Sequence, residues 1–112
     1  MAADLYGLAG KRVWIAGHAG MVGSALARRL VAERCDILTV RRQDVDLRDQ
    51  AGVDAWIGAN RPRAVFLAAA KVGGILANTT LRAEFLYDNL AIATNIIHAA
   101  HAHGVEKLMF LG

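Results

Sequence analysis

The chain carries near its start the stretch Val13-Trp14-Ile15-Ala16-Gly17-His18-Ala19-Gly20-Met21-Val22-Gly23. Its first four residues are apolar and predict a buried strand, and three glycines follow at intervals of three residues. A glycine-rich turn between a strand and a helix brings backbone N–H groups against the pyrophosphate of a dinucleotide. In such a turn Gly17 would permit the tight bend, Gly20 would let amides approach phosphate, and Gly23 would let the helix pack closely. The stretch therefore predicts a nucleotide-binding turn. The alternative is a tight turn that binds no ligand.

Alternating strand and helix patterns extend this start into a β-α-β-α-β-α-β order. Strands are expected at residues 12–16, 36–40, 64–68 and 107–111, and helices at about residues 20–34, from Asp46 or Asp49 to about Asn60, and at about residues 81–103. Pro62 is expected to end the second helix and Gly104 the third. Right-handed crossovers then predict an α/β fold, a doubly wound parallel sheet of about four strands. We expect the strand order 3-2-1-4, with a ligand crevice above the carboxyl ends of the strands.

The length allows one small domain or part of a larger one, and we expect a loose leader at residues 1–11 followed by the N-terminal part of such a domain at residues 12–112. Of the 112 residues, 55 % are apolar, which excludes a disordered chain. No apolar run reaches the roughly 20 residues of a membrane span. The net charge of +3 comes from scattered basic residues, so we expect no nucleic-acid partner. The single Cys35 and the lack of a signal peptide favour a reducing, cytoplasmic location.

The residues after the second predicted strand bear on the choice between NAD and NADP. An NAD-binding domain usually ends this strand with an acid that grips the ribose 2′-hydroxyl, but Asp36 stands at the strand's start. Arg41 and Arg42 stand at the correct end, and guanidinium groups suit a 2′-phosphate. We favour Arg42 as the ligand, whereas Arg41 is equally well explained as a solvated loop residue. Asp46 stands where an acid could meet the adenine amino group, and the alternative is that it caps the next helix.

Polar residues of the last predicted helix have structural explanations. His98 and His101 share a helix face, but His103 points elsewhere and no acid or cysteine joins them. We therefore expect no metal site there. Asn89 and Asn95 are interpreted as structural hydrogen bonders that tie the helix to the strand ends.

Several stretches resemble the GDP-L-fucose synthase family of the extended short-chain dehydrogenase/reductases. They are the glycine turn at residues 12–25, the segment LAAAKVGGI at residues 67–75, and the helix and strand at residues 95–101 and 107–112. The resemblance covers about residues 11–112. It implies a Rossmann-type domain that binds NADP. In this family, the whole enzyme epimerises two carbons beside a ketone of a GDP-linked sugar and then reduces that ketone.

Carried over by position, the resemblance implies a set of cofactor-binding residues. They are Gly17, His18, Ala19, Gly20, Met21, Val22, Gly23, Arg42, Asp46, Leu47, Ala69, Ala70, Leu111 and Gly112. Arg42 would take the 2′-phosphate, Asp46 and Leu47 would face the adenine, and Leu111 and Gly112 would approach the nicotinamide. Family members can carry a second arginine where this chain has Ala19, and its absence weakens the preference for NADP over NAD. The roles of His18 and Lys71 are left open.

The segments that supply catalysis in this family, a Ser-Ser-x-x-Tyr-Pro stretch and a Tyr-x-x-x-Lys helix, do not occur in this sequence. Tyr87 has Ala91 four residues later. We therefore expect no catalytic residue here, and an incomplete domain that is the N-terminal cofactor-binding portion of a longer enzyme. A nucleotide-sugar substrate and a homodimer would belong to the full-length enzyme. The alternatives are a non-catalytic NADP-binding or partner-binding module, and part of an NAD-dependent nucleotide-sugar epimerase or dehydratase.

Overall fold

The structure, a computed structural model, describes residues 6–69 and 79–111. Its strands are β1 (Arg12–Ala16), β2 (Asp36–Leu38), β3 (Ala64–Leu67) and β4 (Lys107–Phe110). Its helices are α1 (Met21–Leu30), α2 (Gln50–Asn60) and α3 (Thr79–Ala102), and a short 3₁₀ turn, Val31–Glu33, extends α1. Within the described residues, no helix is both long and apolar enough to cross a membrane. The predicted order of strands and helices and the parallel α/β sheet are confirmed.

The strand order differs from the expected one. The sheet runs β2-β1-β3-β4, so β3 lies beside β1 rather than outside β2. Val13 of β1 pairs with Ile37 of β2 on one side and with Ala64 of β3 on the other. The predicted order was wrong because the chain changes direction one crossover earlier than expected. The segment that contains α2 crosses the opposite face of the sheet from α1, and a right-handed crossover on that face carries the chain back past β1.

Two apolar clusters on opposite faces of the sheet hold the helices in place. On one face, Trp14 and Val65 pack with Ile57 of α2 and Ile96 of α3, and all four side chains are buried. On the other face, Ile15 packs with Leu30 of α1. Strand β1 is thus buried on both sides, as its uninterrupted apolar run predicts for a central parallel strand.

The ends of the helices follow local backbone rules. Helix α2 begins after Asp49 and ends before Arg61, which has a left-handed backbone (φ 53°), and Pro62 follows. Helix α3 ends before Gly104, whose φ is +74°. The N–H of Val105 then donates to the carbonyl of Ala100 at 2.9 Å, which closes the last turn of the helix. The expected ends at Pro62 and Gly104 are confirmed.

The segment before β1 contacts the amino end of the sheet. The Tyr6 hydroxyl donates to Glu106 Oε1 at 2.8 Å, and Arg63 donates to the other oxygen of Glu106 at 2.7 Å. The Lys11 ammonium lies 3.7 Å from the centre of the Tyr6 ring. Tyr6 and Lys11 thus contact the rest of the fold or each other, and the division of the chain at residue 11 stays a prediction.

Replacement of Ile96 by Ala should lower the free energy of unfolding by about 2–5 kcal/mol, because it opens a cavity between α3 and the sheet. Ile96 is 0 % exposed, whereas its neighbour Ile97 is 45 % exposed. The matched change Ile97→Ala should cost less than about 1 kcal/mol. Urea unfolding followed by circular dichroism measures both, and equal losses would contradict the described orientation of α3.

Candidate functional site

A cavity of about 250 Å³ lies above the carboxyl end of β1. The chain segments that follow β1, β2 and β3 meet there, and α3 closes one wall. The cavity is lined by Gly17, His18, Ala19, Gly20, Val40, Arg42, Val45, Asp46, Leu47, Arg48, Ala68, Ala69 and Ile92. A crevice between two segments that leave a parallel sheet in opposite directions is the usual ligand site of such folds.

The glycine turn is shaped by close approach of backbone segments. Gly17 has φ +91°, and a Cβ atom there would lie 2.7 Å from the backbone N and Cα of Ala69. Any larger residue at Gly17 is therefore excluded both by its backbone angle and by the segment after β3. The N–H of Gly20 donates to the carbonyl of Gly17 at 3.2 Å and closes the turn.

Helix α1 starts directly at this turn. Gly20 is the residue that precedes the helix, and its extended backbone (ψ 174°) carries no side chain that caps the helix. The first turn of α1 also contains no acidic residue. The N-terminal N–H groups thus face no competing side-chain anion, a setting that favours a bound phosphate group.

Gly23 supports the turn without lining the cavity. A Cβ atom at Gly23 would collide with the carbonyl oxygen of Gly17. Met21 and Val22 also lie outside the cavity lining, and both are exposed, at 89 % and 54 %. These three residues lie in the first turn of α1, and none of them is among the residues that line the cavity.

Of the fourteen residues expected from sequence, eight line the cavity. They are Gly17, His18, Ala19, Gly20, Arg42, Asp46, Leu47 and Ala69. Leu111 follows β4 and is not among the lining residues. Ala70 and Gly112, and also Lys71, lie outside the described residues.

Five lining residues were not predicted: Val40, Val45, Arg48, Ala68 and Ile92. Val40 and Val45 flank predicted residues in the chain, and Ala68 ends the third predicted strand. Their positions in the sequence could therefore have identified them as lining residues. Ile92 comes from the middle of α3, and only the packing of that helix brings it to the cavity.

The two adjacent arginines have different surroundings. Arg41 Nε donates to Asp44 Oδ2 at 3.0 Å and forms a local ion pair. Arg42 lines the cavity, and within the described part of the chain it makes no hydrogen bond or ion pair. Arg41 thus has a local partner in Asp44, and Arg42 is the one of the two that lines the cavity. The assignment of the 2′-phosphate to Arg42 stays a prediction.

Asp46 is held by Arg48. Its Oδ1 accepts the backbone N–H of Arg48 at 2.9 Å and the Nε–H at 3.1 Å, and its Oδ2 accepts from Nη2 at 2.8 Å. These hydrogen bonds lower the pKa of Asp46 to about 2, so the carboxylate is ionised at neutral pH. Helix α2 begins at Gln50, with Asp49 as the preceding residue, so Asp46 is not its cap.

Asn95 ties α3 to the wall of the cavity. Its side-chain Nδ2 donates to the backbone carbonyl of Leu47 at 3.0 Å. The donor and acceptor are separated by 48 residues in the chain, so this bond fixes the segment after β2 against the helix. The interpretation of Asn95 as a structural hydrogen bonder is confirmed.

Other candidate residues lie away from the cavity. Asp36 stands at the opposite end of β2, 3.7 Å from Arg12. Tyr6 is also at the amino end of the sheet, and Tyr87 is 74 % exposed on α3. His103 lies 3.0 Å from Asp54. Among residues 6–69 and 79–111, no group of three or more His, Cys, Asp or Glu side chains is placed to hold a metal ion.

Replacement of Arg48 by Leu should raise the pKa of Asp46 from about 2 towards its usual 3.8, because the main hydrogen bonds to the carboxylate are lost. Since the pKa is lowered in the folded chain, the ion pair stabilises the fold at neutral pH, and this contribution is lost as the pH falls from 3.8 towards 2. NMR titration of the Asp46 carboxyl carbon measures the shift. An unchanged pKa would show that Arg48 does not hold Asp46 in solution.

The glycine turn should respond differently to alanine at two positions. Gly23→Ala should lower the free energy of unfolding by at least about 2 kcal/mol, because the new methyl group meets the Gly17 carbonyl. At Gly20, a Cβ would lie 3.6 Å from the same carbonyl, so Gly20→Ala should cost less than about 1 kcal/mol. Thermal and urea unfolding of both variants would test this, and similar costs would argue against the described turn.

The curated relatives of this chain include several GDP-L-fucose synthases. The enzyme from Sinorhizobium fredii is 51 % identical over 108 residues, which are 96 % of this chain and 34 % of the relative. The enzyme from Escherichia coli is 52 % identical over 104 residues, 91 % of this chain and 32 % of the relative. The chain thus spans about a third of the length of these relatives.

Solved structures with similar backbones include NADP complexes. A GDP-mannoheptose C4 reductase from Campylobacter jejuni with NADP bound is 36 % identical, with a TM-score of 0.84 over 90 % of this chain and 32 % of that one. A GDP-L-fucose synthetase from Naegleria fowleri bound to NADP is 26 % identical, with a TM-score of 0.74 over 89 % of this chain and 30 % of that one.

The family profile covers nearly the whole sequence. The profile of the NAD dependent epimerase/dehydratase family matches residues 13–112, from β1 through β4. This range includes the glycine turn and every described residue that lines the cavity. The chain therefore belongs to the NAD dependent epimerase/dehydratase family.

Proposed function

We propose that this chain binds NADP in the cavity above β1 and forms the cofactor-binding portion of a nucleotide-sugar epimerase/reductase of the GDP-L-fucose synthase kind. The observation that carries the proposal is Arg42, which lines the same cavity as the glycine turn and makes no hydrogen bond or ion pair among the described residues. Arg42 is exposed, and the fork of donors on its guanidinium suits a phosphate group. A 2′-phosphate is the group that distinguishes NADP from NAD.

The glycine turn suits the pyrophosphate. Gly17 and Gly20 line the cavity, and α1 begins at Met21, directly after Gly20, so the N-terminal end of the helix lies beside this space. Backbone donors and the positive end of a helix stabilise phosphate without the need for a side chain. The pyrophosphate would therefore lie at this turn, with Arg42 on the adenosine side.

The adenine would occupy the wall formed after β2. Val40, Val45 and Leu47 supply apolar surface there, and Ile92 of α3 continues it. The Asp46 carboxylate lies on the same wall and accepts hydrogen bonds, as an exocyclic amino group requires. An acid that would grip a ribose 2′-hydroxyl is not offered by Asp36, which stands at the opposite end of the sheet.

The substrate and reaction are proposed from the relatives. GDP-L-fucose synthases are about half identical to this chain over their N-terminal third. When bound, NADPH supplies a hydride, and the part played by this chain is to bind and orient that cofactor. The epimerisation, the reduction, the GDP-linked keto sugar and the homodimer are assigned to the full-length enzyme. Cys35 is a free thiol, which agrees with the proposed cytoplasmic location.

Arg42→Ala should weaken binding of NADPH by about tenfold to a hundredfold, the value of charge-assisted hydrogen bonds to one phosphate. Binding of NADH, which lacks the 2′-phosphate, should change by less than about threefold, because only long-range charge is lost. Titration of the chain with each nucleotide, followed by nucleotide fluorescence, gives both dissociation constants.

Arg41→Ala is the matched control. It removes the same charge from the neighbouring residue, but Arg41 is already paired with Asp44. It should therefore leave the ratio of NADPH to NADH affinity close to that of the unchanged chain. Loss of the preference in Arg41→Ala but not in Arg42→Ala would reject the assignment of Arg42, and no binding of either nucleotide would reject the proposed site.

A further inference from the structure

Arg48 lines the cavity and forms the hydrogen bonds that hold Asp46. It lies two residues after Asp46 and one residue after Leu47, both of which face the proposed adenine position. Its side chain is 40 % exposed, and its guanidinium donates hydrogen bonds to the Asp46 carboxylate. The question is what this arginine does for a cavity that already contains Arg42.

The contact between Arg48 and Asp46 is bidentate and constrained from three directions. Nε and Nη2 donate to the two carboxylate oxygens at 3.1 and 2.8 Å, and the Arg48 backbone N–H adds a third hydrogen bond at 2.9 Å. Nη1 lies 3.6 Å from Oδ2 of Asp88, whose side chain is 16 % exposed on α3. The guanidinium is therefore anchored between the loop and the helix, and it fixes the plane of the Asp46 carboxylate.

Without Arg48, the Asp46 carboxylate would interfere with binding of an anion by Arg42. Asp46 and Arg42 line the same cavity, and Arg42 is one of the charges that lower the pKa of Asp46. A carboxylate without Arg48 has two adverse options: it can turn to Arg42 and occupy its donors, or it can stay in place and repel a nearby phosphate dianion. In the structure both oxygens of Asp46 accept hydrogen bonds from Arg48, and among the described residues no hydrogen bond joins Asp46 to Arg42.

We propose that Arg48 is a positioning residue that determines cofactor specificity: it holds Asp46 away from Arg42 and offsets the Asp46 charge, so that Arg42 is left to bind the 2′-phosphate. This inference rests on the proposed NADP site. It assigns no direct contact between Arg48 and the cofactor. If Arg48 acts in this way, the Asp46 carboxylate can face the adenine while the cavity still prefers NADP, with its phosphorylated ribose, to NAD.

The test compares two probes of the adenosine half, adenosine 2′,5′-bisphosphate and adenosine 5′-monophosphate, by calorimetric titration of the chain. The measured quantity is the ratio of their two dissociation constants. A variant that folds poorly weakens both ligands by the same factor, so the ratio is insensitive to a purely structural loss. Arg48→Leu should reduce the preference for the bisphosphate by about fivefold, the size of one surface charge-pair interaction.

Two further variants separate the mechanisms. In Asp46→Asn/Arg48→Leu the interfering charge is gone, so the preference should return to within about twofold of the unchanged chain, as expected for coupled neighbours. Arg48→Lys keeps the charge but not the bidentate contact, and it should give an intermediate ratio. Arg29→Leu is the control, because it removes an arginine paired with Glu33 at 2.7 Å on the far side of α1.

The outcomes distinguish this inference from the proposed function. A preference that is intact in Arg48→Leu overturns the role of Arg48 and leaves the NADP site standing. A double variant as poor as Arg48→Leu also overturns it, because Arg48 would then contact the phosphate itself. If Arg48→Leu gives no measurable binding of either probe, the test uses Arg48→Lys instead. A ratio of the two dissociation constants in Arg48→Lys equal to that of the unchanged chain then rejects the inference. An unchanged chain that binds both probes equally rejects the NADP assignment and this inference together.

Discussion

The structure depends on one steric constraint, the contact of three backbone segments at the end of β1. The Gly17 carbonyl leaves no room for a side chain at Gly23, and the backbone of Ala68 and Ala69 leaves none at Gly17. The strand, the helix and the segment after β3 therefore meet at van der Waals distance. Their backbone atoms, rather than side chains, form the floor of the cavity. The direction of α1, and with it the position of its N–H groups, follows from this contact.

The apolar pattern predicted the strands and helices well, because the buried side of each one carries apolar residues at regular intervals in the sequence. The four apolar residues of β1 are fully buried. Helices α2 and α3 end just before Pro62 and Gly104, and the effects of these two residues on the backbone are local. The strand order was not predictable in the same way. An apolar stripe on α2 shows that the helix packs on a sheet, but it does not say on which face. That choice decides on which side of β1 the third strand is placed.

The cavity shows a similar division between local and long-range information. Residues of the glycine turn and of the segment after β2 could be predicted because each follows its strand directly. The interaction of Asp46 with Arg48 is close in sequence, yet sequence offered a cap or a ligand contact for Asp46 and no partner. Ile92 lines the cavity and Asn95 donates a hydrogen bond to the Leu47 carbonyl only because α3 packs beside the segment after β2. No local sequence pattern predicts this packing.

The exposure of the segment between β2 and α2 affects how proteins with this fold can diverge. None of residues 41–49 is buried, although this short segment carries Arg42, Asp46 and Arg48. Substitutions at exposed positions usually alter stability by only about 0.5 kcal/mol. The charges that face the cavity can thus be exchanged without repacking of the core. Ligand choice is therefore free to evolve in this loop while Gly17 and Gly23, where a Cβ atom would collide with the backbone, stay the same.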